Sequence, residues 1–126
     1  MAYETPILDT TLLAGVDLSS SQFCAVVVNS SGQAVLPSSV STGTKIMGVV
    51  QNKPTSGTAA TIRVEGITKL MTNGTVAPGD WVKVNNTSGK IVTTTTSGDQ
   101  IVGVCLSTVS TPSGDLATVL LKSGTY

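Results

Sequence analysis

From residue 23 onward the chain alternates between short apolar runs and clusters of Gly, Pro, Asn, Ser and Thr. The runs have strand length, and turn-forming residues bound them. None sustains a helical period. The pattern predicts strands at 23–28, 33–36, 46–52, 59–65, 67–71, 81–85, 90–94, 100–107 and 116–122. The first 22 residues differ. "MAYETPILDTTLLAGVDLSSSQ" carries Pro6 and scattered apolar residues with no clean period. It reads as an extended N-terminal arm or irregular lead-in (1–22), followed by a single β domain (23–126). Ile7, Leu8, Leu12 and Leu13 are too apolar for an idle tail. They must pack on this chain or on another.

The pattern occurs twice. "AVVVNSSGQAV" (25–35) returns as "VKVNNTSGKIV" (82–92), with Gly32 over Gly89 and Asn29 over Asn86, an offset of 57. Further on, Ile46 matches Ile101, Gly48 matches Gly103 and Val49 matches Val104, an offset of 55. Gly57, Ala60 and Thr61 match Gly114, Ala117 and Thr118, again at 57. The first copy has two extra residues in its "PSSVSTGT" loop, and the second has two near "STVSTPSG". On this alignment Trp81 takes the place of Cys24. The turns "NSSG" and "NTSG" put Gly where a left-handed residue is needed. Gly48 and Gly103 stand inside apolar runs, where Gly marks a bulge or a close backbone approach. The expected fold is all-β. It is a small barrel or sandwich built from two similar halves, near 25–64 and 82–121, with an extended N-terminal arm.

Composition narrows the function. At 126 residues, one domain with a modest core is expected. Aromatics are only Tyr3, Phe23, Trp81 and Tyr126, so Val, Ile and Leu must fill the interior. Seven basic and seven acidic residues give a net charge of zero. That removes the field that nucleic-acid or anionic-membrane binding normally uses. A weakly charged Ser/Thr-rich surface is poorly protected against self-association, which hints that partners cover it. There is no apolar run of membrane-spanning length and no charged-then-apolar leader, which suits synthesis in the cytoplasm. Cys24 and Cys105 are 81 positions apart and sit in apolar runs, so they read as buried, reduced packing residues.

Catalytic chemistry is missing. The chain has no His, which removes the commonest general base and metal ligand. Asp80, Asp99 and Asp115 sit beside turn glycines, where Asp is expected for structural reasons. The Gly-rich loops precede no helix and cradle no phosphate. Asn-Ser/Thr triplets are by-products of turns. Trp81 reads as a core plug more than as a contact. No catalytic, metal or cofactor-binding residues are assigned, and no enzyme activity is expected.

The segments "GVVQNKP", "GTAATIRVEGITK", "APGDWVKV", the Gly-Val pair at 103–104 and the closing "ATVLL" resemble the capsid cement, or decoration, proteins of tailed bacteriophages. The resemblance covers roughly residues 23–122. It implies a small β protein on the outer surface of an icosahedral head, binding the major capsid protein and locking neighbouring subunits. It also implies a homo-oligomer, with a trimer favoured. A cement needs no reacting group, only many copies of a modest contact. The alternative is a small receptor- or glycan-binding module of a phage fibre or spike, which sits badly with four aromatics. On the cement reading Tyr3, Ile7, Leu8, Leu12 and Leu13 are the expected capsid-binding residues, presented by the arm as a tether. The other possibility is that the arm folds back on its own body as a first strand.

Overall fold

A computed structural model describes residues 2–40 and 46–126. Residues 41–44 of the "PSSVSTGT" loop, where extra length is expected, lie outside the described residues. Among the described residues there is no helix. The strands are β1 (Thr5–Leu13), β2 (Ala25–Val28), β3 (Ala34–Val35), β4 (Gly48–Val50), β5 (Ala59–Met71), β6 (Trp81–Val84), β7 (Ile91–Thr93), β8 (Gln100–Cys105) and β9 (Leu116–Thr125). Every predicted run carries a strand. The runs at 59–65 and 67–71 differ from expectation only in being one strand, which continues through Gly66.

The strands form one curled sheet in the order β3-β2-β4-β5-β9-β8-β6-β7, with β1 added to the free edge of β5. All named pairs are antiparallel. β5 stands at the centre and is shared. Its N-terminal half pairs with β1 and β4, and its C-terminal half pairs with β9. At each end the curl is drawn towards closure by one isolated parallel bridge, Ala14 to Ala34 and Thr72 to Ile91.

Part of the lead-in is a regular strand. Residues 5–13 form β1, lying antiparallel on β5 from Thr5 opposite Ile67 to Leu13 opposite Ala59. The sequence hides this because two register shifts interrupt the pairing between Pro6 and Asp9. Each shift moves the side chains off the strict alternation that identifies a strand. Trp81 also differs from expectation. The pairs Ala25–Val49 and Trp81–Val104 put it in the place of Ala25, not Cys24, because Asn85 is an extra residue before the second turn. Trp81 is half-buried and is not a buried core plug.

Two apolar clusters fill the sheet. The first joins Leu18, Val26, Ala34, Val50, Ala60 and Ile62. The second joins Leu70, Val76, Val82, Ile91, Cys105 and Val119, among others. The two are not separate. Ala25 and Val49 come from β2 and β4, yet they belong to the second cluster. β2 and β4 therefore contribute to both clusters, Ala25 and Val49 to one and Val26 and Val50 to the other. β-Branched residues dominate the second cluster, whereas the first combines Val and Ile with small Ala residues and Leu18.

Gly48 and Gly103 show why those runs need glycine. A Cβ on Gly48 would overlap the carbonyl oxygen of Arg63, and one on Gly103 would overlap that of Leu120. Both glycines let a neighbouring backbone pass close by. Cys24 and Cys105 are both buried and unbonded to each other. Burial pushes the Cys24 thiol up, with Lys90 pulling weakly the other way.

One polar group is held firmly inside the second half. Asp99 is 4% exposed. It accepts hydrogen bonds from Thr94 Oγ1 at 2.6 Å and pairs with Lys83 Nζ at 2.8 Å. The Lys83 contact first, and Thr94 second, hold its carboxyl below the usual carboxylate range. A depressed pKa stabilises the fold fully above the unfolded carboxylate value, about 3.9. That contribution is lost as pH falls through the folded value. The melting temperature should therefore drop on acidification below about pH 4, and Asp99→Asn should blunt that drop while lowering stability at neutral pH. Thermal melts of both proteins across the acid range measure this.

Candidate interaction surface

β1 sorts its side chains into two sets. Leu12 sits opposite Ala60 and packs against the first cluster. Tyr3, Ile7, Leu8 and Leu13 remain exposed, Ile7 most of all at 72%. Val16, just past the strand, is exposed too. Four of the five expected contact residues are thus exposed along one strand and its approach. Leu12 does not join them. Its role is internal, because the strand's alternation turns it inward.

The strand is fastened by charge. Arg63 on β5 is buried to 8% exposure. It donates to Asp9 through Nε at 2.9 Å and Nη2 at 3.2 Å, and to Glu4 through Nη1 at 2.8 Å. The bidentate geometry suits guanidinium and carboxylate. Asp9, first of all, raises the Arg63 pKa. Lys69 Nζ lies 3.9 Å from Glu4 and 5.4 Å above the Phe23 ring. Tyr3 N donates to Thr118 Oγ1 at 3.0 Å, tying the start of the chain to β9. These fasteners escape a reading of apolar pattern. Their only trace in the sequence is a lone Arg inside an apolar run and two carboxylates in an apolar lead-in.

Between the fasteners the strand bulges. Gly66, with φ at 111°, faces the bulge, and a Cβ there would overlap the carbonyl oxygen of Thr5. The bulge turns Ile7 and Leu8 outward on adjacent positions. Next to Ile7 lies an open groove of about 370 Å³, lined by Met47, Val64, Leu120 and Leu121 among others. Here β4 and β9 part company on the shared strand. Glu65 and Lys122 stand at its sides. Other exposed apolar groups are Val28, Val109 and Tyr126, which the sequence pattern does not single out.

Nothing in this surface resembles a reaction centre. Among the described residues no three His, Cys, Asp or Glu side chains gather as metal ligands. No buried side-chain polar atom among them lacks a hydrogen-bond partner. Among the described residues no helix is long and apolar enough to cross a membrane. What the strand offers is apolar contact area on a rigid support.

Comparison with known proteins decides the family. The sequence matches the phage cement protein family over residues 4–122. The chain belongs to this family. The match takes in β1, so the lead-in is part of what this cement protein shares with its relatives. The fold is also similar to the crystal structure of the N base of head fiber gp8.5 in bacteriophage phi29, with a TM-score of 0.68 at 14% identity. That alignment covers 91% of this chain and 93% of the other. At such low identity it shows a shared fold. No curated protein matches the sequence significantly. Family membership makes this a phage protein associated with the capsid.

Proposed function

We propose that the protein stabilises contacts between major capsid protein subunits from the outer surface of a tailed-phage head. It is made in the host cytoplasm and adds to the shell by binding alone, without catalysis. The observation that carries this reading is the exposed apolar row of Tyr3, Ile7, Leu8 and Leu13 on a chain with no net charge. A free surface seldom keeps such a row, and a partner interface uses one. The row sits on a pinned strand, so little ordering entropy is lost on docking. A homo-oligomer, with a trimer favoured, would repeat the row around a symmetry axis and multiply each weak contact. The phi29 neighbour is the base of a head fiber.

Replacing Ile7 and Leu8 together by Ser should weaken binding to undecorated heads. Burying each such side chain contributes about 1.5–3 kcal/mol before ordering costs, so at least about a tenfold loss is expected. The melting temperature should change little, because both are exposed. Titration of the purified protein onto undecorated heads, beside a thermal melt, measures both. Unchanged binding by a folded double variant would remove β1 from the interface.

A further inference from the structure

We propose that Asn73 is a site of spontaneous deamidation in the folded protein, through a succinimide formed with Gly74. Asn73 and Gly74 lie in the bend between β5 and β6. The five asparagines are not equivalent. Asn29 Oδ1 accepts the backbone N–H groups of Ser31 and Gln33, and Asn86 Oδ1 accepts those of Ser88 and Lys90. Asn52 is held at both ends, accepting from Thr61 N and donating to Ala59 O. Asn85 is partly buried. Asn73 alone of the five is exposed, and its one side-chain bond is a long donation to Asn85 Oδ1 at 3.3 Å. It is also the only one followed by glycine. Gly74 N donates to no backbone or side-chain acceptor among the described residues. Without a Cβ, residue 74 does not shield its own nitrogen.

The step balances without any added reagent but water. The Gly74 nitrogen attacks Cγ of Asn73, its proton leaves with the side-chain nitrogen, and ammonia departs. The cyclic imide then takes up water at either carbonyl and opens to Asp or to isoaspartate. Either product adds one negative charge to a chain that has none in balance. Isoaspartate also routes the backbone through the side chain, one carbon longer. The position matters for that reason. Thr72 forms the parallel bridge to Ile91, and Asn73 N donates to Ile91 O at 2.7 Å. The lengthened backbone would pull at the closure of the second half, so the modification acts as an age mark that loosens one end of the sheet.

Incubation of the full chain at mildly alkaline pH, followed by peptide mapping with isoaspartyl-specific methylation, tests this. Asn73 should convert first, giving both Asp and isoaspartate, while Asn29 and Asn86 stay intact. Gly74→Ala should slow conversion strongly. Its Cβ would stand 3.3 Å from Val92 Cγ1, a contact a small shift relieves, so this variant should fold. Asn73→Gln, at an exposed position, gives a second folded control that should show no conversion there. The proposal is overturned if native Asn73 survives an interval in which the denatured chain converts. It is also overturned if Gly74→Ala converts as fast as the parent, or if another asparagine converts first.

Discussion

Deletion of residues 2–18 should abolish cooperative folding. A dispensable tether would leave a folded body with weak binding, but the segment sits inside the first half of the sheet. Ala14 and Leu18 are 1% and 0% exposed, and Leu12 packs beside them. Losing a buried Leu alone costs about 2–5 kcal/mol. The deletion also uncovers Ala60 and Ile62 on β5, which β1 shields. It leaves Arg63 without Asp9 and Glu4. Stranding a buried cation costs several kcal/mol when burial is complete, and less here, because the carboxylates keep some water. The sum is comparable with the whole stability of a small domain, roughly 5–15 kcal/mol. Far-UV circular dichroism and a thermal melt of the truncated chain decide the matter. A cooperative melt close to that of the full chain would show that the first half closes without its first strand. The contact residues are therefore best probed by single replacements on β1, which leave the strand in place.

Gly89→Ala should be far more damaging than Gly32→Ala, although the two glycines occupy the same turn. Both are left-handed, with φ of 75° and 74°. Each follows an Asn whose side chain caps the turn in the same way. An alanine forced into that conformation costs about 1–2 kcal/mol. At Gly32 that is the whole effect, because a Cβ there meets nothing within 4 Å. At Gly89 a Cβ would overlap the carbonyl oxygen of Ala25 and stand 2.9 Å from its nitrogen. Ala25 N also donates to Gly89 O at 2.9 Å, so the second turn is docked on β2 of the first half. Backbone cannot rotate aside as a side chain does. A further loss of about 1–3 kcal/mol is expected from the displaced contact. Chemical denaturation of the two variants measures the difference. Equal losses would mean that the turn is not clamped against Ala25.

The chain's own pattern determined the class of fold and most of its strands. Runs of Val, Ile and Leu between Gly, Asn and Pro turns form strands through local preferences, and those preferences are legible residue by residue. Gly48 and Gly103 announced a close backbone approach in the same local way. The absence of His, the neutral charge and the order of motifs directed the reading to a capsid-associated protein. The tertiary structure decided what depends on distant partners. β1 is a strand because β5 supplies an edge and Arg63 supplies a counter-charge 54 positions away from Asp9. Its bulges erase the alternation that would have announced it. Leu12 and Leu13 are neighbours of one chemistry, yet one packs against the core and the other is exposed, since pairing on β5 decides which face of the alternating strand turns inward. Phe23 takes a left-handed φ of 63°, a conformation its side chain disfavours, because its N–H must reach Val50 O and its own carbonyl must receive Met71 N. Gly32 and Gly89 carry one local signal and two different burdens. A sequence specifies the shape of a turn through the residues in it, whereas the cost of changing the turn depends on which backbone has come to rest against it.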